Sequence, residues 1–301
     1  MEPLTFSILV ATYNRPLHLS GLLGSIASLN FPRERFEVIV VDDGSRMPLE
    51  PVIAPFRDQI SIRYFRQTHG GVASARQKGV EVAEGLYLAF TDDDCRPATD
   101  WLQALEKALA ATKGGAVGGR TINSLTGNPY ASATGSLETY LRDHWNRGPD
   151  AIGFFPTSNL AVPADRCRSI GGFDGDRWPH GGEDRDLCAR WTEQGYTLFY
   201  APEAVVHHLH DLHLFTFLRQ HFRYGRGAFR FRKACSQRRR RRIEVESLSF
   251  YLRLPLFGLR QERGFHGLWI AILLASAQMS NALGFIWEWT IQRSSKKRPR
   301  H

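Results

Sequence analysis

The chain has 301 residues, 43% of them hydrophobic and 23% charged, with a formal net charge of +9. This hydrophobic content excludes a disordered chain, and the length suits one large α/β domain with an appendage. Much of the excess positive charge lies in the last quarter, in the arginines from 238 to 242 and in the ending KKRPRH. Such a basic segment is typical of proteins that meet an anionic surface, such as a membrane or a nucleic acid.

The four cysteines, at positions 95, 167, 188 and 235, form no C-x-x-C pair and no regular framework. Such usage favours a reducing compartment over a disulfide-stapled secreted protein. The first residues, MEPLTFSILVA, have no basic segment and no small-residue cleavage site before the first strand pattern, so we expect no signal peptide. The sequence therefore predicts a protein that works in the cytoplasm.

Strand-like and helix-like segments alternate through the first 120 residues. Strands are predicted at 6–11, 36–41, 60–65 and 86–90, and helices from Pro16, near 72–84 and over 99–112, where Thr99 is the expected N-cap. Apolar runs separated by helices predict an α/β fold whose mostly parallel sheet is covered by helices on both faces. In such sheets ligands bind beyond the carboxyl ends of the strands, and polar residues follow three of these four strands.

The middle of the chain, about 121–210, is less periodic and richer in glycine, proline and aromatic residues. It contains predicted helices at 135–146 and 181–195, followed by the strand-like segment TLFYA and by EAVVHHLH. After residue 211 the chain becomes basic and aromatic, as in HLFTFLRQHFRYGRGAFRFRK. We expect basic or amphipathic helices in this C-terminal part.

The last apolar segment has no charged residue from Gly267 to Trp287 and carries tryptophans at both ends. Its length is enough to cross a bilayer, and the tryptophans resemble an interfacial belt. Gln278, Ser280 and Asn281 stand near its middle, where polar groups are costly in lipid. Three interpretations are open: a membrane span, a helix or hairpin lying in the membrane interface, and ordinary core packing or self-association.

Three carboxylates, Asp92, Asp93 and Asp94, follow directly after the strand-like segment LYLAFT. Like charges this close repel one another, and burial of an unpaired carboxylate is costly. A Mg²⁺ or Mn²⁺ ion would relieve the repulsion, because these hard cations prefer carboxylate oxygens and complete their shell with phosphate and water. Asp92 and Asp94 form a D-x-D pair that can reach one ion. A solvated acidic turn is the alternative.

Asp42 and Asp43 follow another predicted strand, in the segment FEVIVVDDGS. At such a strand end a carboxylate can accept hydrogen bonds from a base N–H or from ribose hydroxyls. The alternative is an Asx-turn completed by Gly44 and Ser45. Arg76, in GGVASARQKG, can bring a guanidinium to a phosphate or a base, and the alternative is an ordinary surface arginine.

A second acidic pair, Glu183 and Asp184, follows two glycines at a predicted helix start. Carboxylates there either cap the helix or act as a general base that removes a proton from an attacking hydroxyl. His207 and His208 follow an apolar pair, with two more histidines close behind. They are either structural histidines or ligands of a metal or phosphate, in a spacing that fits no zinc-finger pattern.

Five segments occur in an order and spacing that resemble an inverting family 2 glycosyltransferase. They are SILVATYNRP, FEVIVVDDGS, GGVASARQKGVEVAEGLYLAFTDDDC, SNLAVPADRCRSIGGFD and GGEDRDLCARWTEQGY, and together they cover about residues 5–210. The resemblance implies the GT-A nucleotide-sugar-binding fold, a Rossmann-like α/β arrangement. It also implies a catalytic domain over 1–210, and the basic, aromatic remainder, 211–301, is then expected to be a helical region that associates with a membrane.

The resemblance assigns roles in the nucleotide-sugar site. Ala11 and Tyr13 would line the nucleotide pocket. Asp43, with Asp42 beside it, would contact the base or the ribose. Arg76 would lie near the base or the diphosphate, where its positive charge would stabilise the leaving group.

The resemblance also assigns the metal ligands. Asp92 and Asp94 correspond to the D-x-D pair that holds Mg²⁺ or Mn²⁺, and Asp92 belongs to the nucleotide-sugar site as well. Asp93 would face the sugar and the ribose. His208 would complete the metal shell, with its neighbour His207 as the alternative.

In the implied reaction, Asp184 is the general base and Glu183 stands beside it. A sugar moves from a nucleoside-diphosphate sugar, with UDP favoured, to a hydroxyl of a lipid-linked or polysaccharide acceptor, with inversion and without a covalent enzyme intermediate. The chain has no Q-x-x-R-W motif and no set of several clear membrane spans. We therefore expect a single addition rather than processive polymerisation.

The expected partners are the sugar donor, the hydroxyl acceptor and a membrane surface. The expected location is the inner face of the cell membrane, with peripheral or singly anchored attachment. A catalytically inactive nucleotide-sugar-binding module is the first alternative, although such a protein would not need both acidic motifs. A nucleic-acid-binding protein is the second; it leaves the acidic groups at the strand ends unexplained and has no recognised motif here, so we expect no nucleic-acid partner.

Overall fold

The computed structural model describes residues 3–145, 153–179, 181–240, 243, 246–261 and 264–296. Within it the chain forms two compact units. The first comprises Met1–Ser124, Gly148–Pro179 and Glu183–Leu209, and the second comprises Leu125–Arg147, His180–Gly182 and His210–His301. The division of function at residue 210 stays a prediction. Arginines 241 and 242, residue 146 of a predicted helix and the ending from 297 to 301 lie outside the described residues.

The first unit is built on an eight-stranded sheet. Its strands are β1 (Phe6–Thr12), β2 (Phe36–Asp42), β3 (Ile62–Arg66), β4 (Tyr87–Asp92), β5 (Cys95–Pro97), β6 (Ala116–Asn123), β7 (Leu160–Pro163) and β8 (Leu198–His208). Their spatial order is β3-β2-β1-β4-β7-β6-β8-β5. All run in one direction except β5 and β7. The prediction of a mostly parallel sheet is confirmed.

Helices cover both faces of this sheet. The helices of the chain are α1 (Pro16–Ala27), α2 (Glu50–Ile53), α3 (Val72–Val82), α4 (Trp101–Ala111), α5 (Pro129–Trp145), α6 (Ala164–Ser169), α7 (Glu183–Glu193), α8 (Leu214–Arg239), α9 (Leu248–Gln261) and α10 (Gly264–Lys296). Ile8 and Val10 of β1 belong to a buried cluster with Leu23 of α1. Leu9, which points to the opposite face, lies against Gly79 of α3. Two covered faces explain why the strands read as unbroken apolar runs.

Two helix starts differ from the sequence expectation. Thr99 is not an N-cap: α4 begins at Trp101, Asp100 occupies the cap position, and the carbonyl of Thr99 instead accepts a hydrogen bond from Asn30 N at 2.7 Å. The helix expected at 135–146 begins earlier, at Pro129. It starts there because the side chain of Asn128 accepts hydrogen bonds from the next free backbone N–H groups, at 3.0 and 3.1 Å.

The second unit is helical and consists mainly of α5, α8, α9 and α10. Its core includes Phe217 of α8, Phe250 and Leu254 of α9, and Ile270 and Leu274 of α10, all of them buried. The expected C-terminal helices are therefore present. Among the residues that the structure describes, one helix, Gly264–Ser294, is long and apolar enough to cross a membrane, judged by length and composition alone. The core helix of a soluble protein meets the same criterion.

Asn159 joins three parts of the first unit beside a register shift in β6. Its Nδ2 donates to Ala204 O at 2.9 Å and Arg120 O at 3.1 Å, and its Oδ1 accepts from Trp101 Nε1 at 2.9 Å. Because Asn159→Ala leaves these buried groups without partners, we expect the free energy of unfolding to fall by about 2–4 kcal/mol in urea denaturation. The exposed control Asn30→Ala should change it by less than about 0.5 kcal/mol. Equal losses would contradict the assignment.

Candidate functional site

The predicted site residues meet at one edge of the sheet because parallel strands end together there. In the registers of β1 with its two neighbours, Thr12 pairs with Asp42 and Ala11 pairs with Asp92. The carboxyl end of β8, which carries His208, lies at the same edge. Every site residue predicted from the sequence belongs to the first unit.

Asp42 is enclosed by protein groups. It is fully buried, and its oxygens accept hydrogen bonds from Ser45 N and from the hydroxyl of Tyr64, each at 2.8 Å. The bond to Ser45 N, three residues on, is a local contact between side chain and backbone that holds the turn after β2, but it is not the bond to the second residue on that defines an Asx-turn. Contact of Asp42 with a nucleotide stays a prediction.

Asp43 organises the loop that leads into α3. Its carboxylate accepts hydrogen bonds from Gly70 N, Gly71 N and Gln67 Nε2, each at 2.8 Å, and His69 Nδ1 also lies 2.8 Å from it. Gly71 is the residue immediately before α3. The carboxylate therefore fixes the start of this helix, and its contact with a base or ribose stays a prediction.

Tyr13 offers an open aromatic surface beside this loop. Its ring stacks on the imidazole of His69, with centroids 4.4 Å apart and planes inclined by 24°, and it is 43% exposed. Ala11 lies two residues earlier and is partly buried. A half-exposed stacked pair of rings is a surface on which a planar base can pack.

Arg76 links β4 to α7. Its Nη1 donates to Glu183 Oε1 and its Nη2 to Asp92 Oδ1, each at 2.6 Å, and the residue is only 6% exposed. The alternative of an ordinary surface arginine is therefore wrong. Burial by itself lowers the pKa of Arg76, but the charges of Asp92 and Glu183 raise it above its usual value. The guanidinium stays charged and holds two acidic groups from distant parts of the chain.

Asp184 lies in the first turn of α7, next to Glu183. Burial and the negative charge of Glu183 raise the pKa of Asp184 to about 6, although the positive charge of Arg185 and a hydrogen bond from its backbone N–H, at 2.7 Å, lower it. A carboxyl group with such a pKa is suited to proton transfer near neutral pH. Glu183 Oε2 is buried and has no hydrogen-bond partner in the described part of the chain. This oxygen can therefore accept a hydrogen bond from an incoming N–H or O–H group.

Arg15 is a member of the site that the sequence analysis missed. Its Nη1 donates to Asp93 Oδ1 at 3.0 Å and to Asp94 Oδ2 at 2.9 Å, while Thr12 Oγ1 donates to Asp93 Oδ2 at 2.8 Å. Burial nevertheless raises the pKa of Asp93 to about 6. Arg15 stands two residues after Tyr13 in the turn that follows β1, so the reasoning that selected Tyr13 extends to it.

Asp94 and His208 are the residues best placed to hold a metal. His208 Nε2 lies 2.9 Å from Asp94 Oδ1, and Cys95 Sγ completes a group whose candidate ligand atoms are all within 4.8 Å of one another. His207 is the neighbouring residue on β8 and points to the opposite face. Asp92 lies outside this group and pairs with Arg76 instead, so its role as a metal ligand stays a prediction.

The donor set fits a hard divalent cation through one carboxylate and one imidazole. Burial and the charges of two neighbouring aspartates raise the pKa of the Cys95 thiol well above its usual value, and a soft sulfur is not a ligand that Mg²⁺ or Mn²⁺ prefers. Mg²⁺ and Mn²⁺ use few protein ligands and complete their coordination with phosphate and water.

Comparison with known proteins shows two matching family models. The model of glycosyl transferase family 2 matches residues 7–168, and a model described as the N-terminal domain of galactosyltransferase matches residues 143–213. The pre-mycofactocin glycosyltransferase of Mycobacterium tuberculosis is 32% identical over 216 residues, which cover 69% of this chain and 44% of that protein. The succinoglycan biosynthesis protein ExoM of Rhizobium meliloti is 31% identical over 212 residues, 68% of this chain and 67% of that protein. The chain thus spans under half the length of the mycobacterial relative.

Among solved structures, the mannosyltransferase PcManGT of Pyrobaculum calidifontis, in complex with GDP-Man and Mn²⁺, matches with a TM-score of 0.65 at 16% identity. The match covers 99% of this chain and 89% of that one. At this identity the likeness shows the fold. With the sheet order above, it confirms the predicted GT-A architecture.

Replacement of Arg76 tests whether it compensates the two acidic groups. Arg76→Met leaves Asp92 and Glu183 without their shared cation, and we expect the free energy of unfolding to fall by about 3–5 kcal/mol in urea denaturation. Adding Glu183→Gln to the same chain removes one of the two charges and should recover part of that loss. The control Arg57→Met, which breaks an exposed pair, should cost less than about 1 kcal/mol. Strictly additive losses in the double variant would refute the coupling.

Proposed function

Because the chain belongs to glycosyl transferase family 2, we propose that it moves a sugar from a nucleoside-diphosphate sugar to an acceptor hydroxyl with inversion. One arrangement carries this proposal. Arg76 joins Asp92 to Glu183, beside Asp184, and Asp94 and His208 lie at the same edge of the sheet. A site at this edge of the sheet can bind a diphosphate and a metal and can place a general base beside them.

The donor would lie across the carboxyl ends of β1, β2 and β4. Its base would pack on the exposed ring of Tyr13, and the charges of Arg15 and Arg76 favour a diphosphate nearby. The resemblance to the family favours a UDP-sugar. The Pyrobaculum structure contains GDP-Man, so a GDP-sugar is the second donor to test.

Asp94 and His208 would hold Mg²⁺ or Mn²⁺. A bound divalent cation offsets the negative charge that builds on a departing nucleoside diphosphate. The positive charge of Arg76 acts in the same direction. Its bond to Asp92 holds this charge at the end of β4.

Asp184 would take the proton from the acceptor hydroxyl. The oxygen then attacks the anomeric carbon from the face opposite the nucleotide, the bond from that carbon to the diphosphate breaks, and the configuration inverts. Glu183 stays fixed by Arg76, which positions the first turn of α7 and with it Asp184. This route requires no nucleophilic serine or cysteine and no covalent enzyme intermediate.

The acceptor would be a lipid-linked or polysaccharide hydroxyl, and each encounter would add a single sugar. One relative is named for succinoglycan biosynthesis, which supports a glycan acceptor. The basic C-terminal part favours binding of the enzyme to an anionic membrane surface, on the cytoplasmic side of the membrane. An inactive module that only binds the donor is the competing function, and it would show binding without turnover.

Nucleotide binding with and without Mn²⁺ tests the metal site. We expect calorimetry with UDP, GDP, dTDP and CMP to reveal one diphosphate whose binding requires the metal. His208→Ala and Asp94→Asn should each weaken that binding by at least about tenfold. His207→Ala is the matched control, because this neighbour points to the other face of β8, and it should bind as the wild type does. Absence of binding by folded protein would defeat the whole proposal.

Replacement of Asp184 tests the general base. Asp184→Asn keeps the size of the side chain but cannot accept the proton, so we expect turnover to fall by about 10²–10⁴-fold while nucleotide binding is retained. The exposed control Asp165→Asn should leave turnover unchanged. Because only the deprotonated form of Asp184 is active, turnover of the wild type should rise with pH through about 6 and then level off. Near-full activity of Asp184→Asn would exclude the assignment.

A further inference from the structure

Helix α10 has an apolar side that no described residue covers. Its exposed apolar side chains recur at intervals of three, four or seven residues, and they include Phe265, Leu268, Ile272, Met279, Leu283 and Ile286. This spacing places them on one side of the helix, over a length of about 32 Å. A side of this length is unusual for a protein surface that faces only water.

Helix α9 repeats the pattern. Leu248, Leu252, Leu256 and Leu259 are exposed and lie on one side of this helix, with Arg253 and Arg260 along its flank. These four leucines and the six side chains of α10 are called the apolar face below. The two helices pack together through buried residues such as Leu254 and Leu274. The apolar face therefore lies on helices that share one packed core.

The charges around the apolar face have one sign. Among the side chains of α9 and α10 that the structure describes, every exposed charged one is an arginine: Arg253, Arg260 and Arg293. The acidic residue in these described ranges, Glu288, is fully buried. An apolar surface bordered by arginines matches the interface of an anionic lipid bilayer, where acyl chains lie below phosphate groups.

The packed side of α10 is largely apolar, and the polar side chains beside it bond to neighbouring helices. Gln278 Nε2 donates to Tyr251 O at 2.9 Å, and Ser280 Oγ donates to Leu218 O at 2.7 Å. Glu288 accepts hydrogen bonds from Arg226 at 2.8 Å and Arg230 at 2.6 Å. Gln278 and Ser280, two of the three polar residues that counted against a membrane span, thus have partners within this unit.

The partner helix α8 cannot enter a bilayer. It carries seven arginines and one lysine and no acidic residue. A Cβ added to Gly225 would meet Asn281 O at 1.9 Å, and one added to Gly284 would meet Phe222 O at 2.0 Å, so the backbones of α8 and α10 are in direct contact. A span formed by α10 would either carry these arginines into the hydrocarbon or break this contact, and both are costly.

We propose that the apolar face lies in the plane of an anionic bilayer surface, with α9 and α10 parallel to the membrane and neither helix crossing it. The apolar side chains enter the boundary between headgroups and acyl chains, and the flanking arginines bind lipid phosphates. This inference rests on the membrane association included in the proposed function, and it chooses the interfacial interpretation over the span. It does not depend on sugar transfer.

Sedimentation with lipid vesicles measures the binding. The full chain should bind vesicles of phosphatidylcholine with phosphatidylglycerol more tightly than vesicles of phosphatidylcholine alone. The double variant Leu256→Glu with Ile272→Glu should lose at least about tenfold in affinity. The matched control Leu86→Glu, at a leucine of the first unit that is 57% exposed, should bind as the wild type does. Equal binding by the face variant and the wild type would overturn the proposal.

Chemical labelling separates lying on the membrane from crossing it. Cys95, Cys167 and Cys188 are buried, so Cys235→Ser with Ser294→Cys leaves one accessible thiol, near the end of α10. With this protein added to sealed vesicles, a membrane-impermeant maleimide should label the new thiol without detergent. Labelling that occurs only after detergent would show that α10 crosses the bilayer and would refute the in-plane arrangement.

Two further outcomes are distinguishable. If the apolar face instead contacts a second copy of the chain, the Leu256→Glu with Ile272→Glu variant will change the mass in solution from dimer to monomer without altering vesicle binding, and the proposal fails. Nucleotide binding by the same variant reports on the first unit independently. If the wild type binds vesicles but binds no nucleotide, the result counts against the proposed transferase and leaves the proposed membrane-binding surface unaffected.

Discussion

The carboxylates at the end of β4 can stand together only because two arginines compensate them. Arg76 reaches this point from α3 and Arg15 from the turn after β1, and each bonds to two acidic groups. An uncompensated buried carboxylate costs several kcal/mol, so the strand ends, the helix α3 and the helix α7 depend on these contacts. The same charges that keep the site folded are those that a diphosphate and a metal would meet.

The second unit contains the same kind of buried ion pair with the signs of the charges exchanged. In the first unit one buried arginine lies between two acidic residues, whereas in the second one buried glutamate, Glu288, lies between Arg226 and Arg230. Burial alone raises the pKa of Glu288, but the bonds from Gln292 and Arg226 and the charge of Arg230 keep it below its usual value. The glutamate therefore stays ionised and ties α10 to the most basic helix of the chain.

The sequence predicted the parts of the fold and site that depend on local pattern. The parallel strands and their polar ends follow from apolar runs and turn chemistry, and the family resemblance supplied His208. The partners of these residues were not predictable, because Arg76 and Glu183 are 107 positions apart and Asp94 and His208 are 114 apart. Strands β5 and β7 were missed because three or four residues carry no readable periodicity, and β6 was missed because Gly118, Gly119 and Arg120 interrupt its apolar run. Thr99 was misassigned because Trp101, a buried residue, fixes where α4 begins.

The four bonds that Asp43 makes to its neighbouring loop bear on how related sequences should be interpreted. The loop they hold sets the start of α3, and α3 carries Arg76. An aspartate that holds this loop is under selection for folding as well as for ligand contact. It would be retained in a descendant that had lost nucleotide binding altogether, so its conservation across a family identifies the architecture, and activity has to be inferred from other positions.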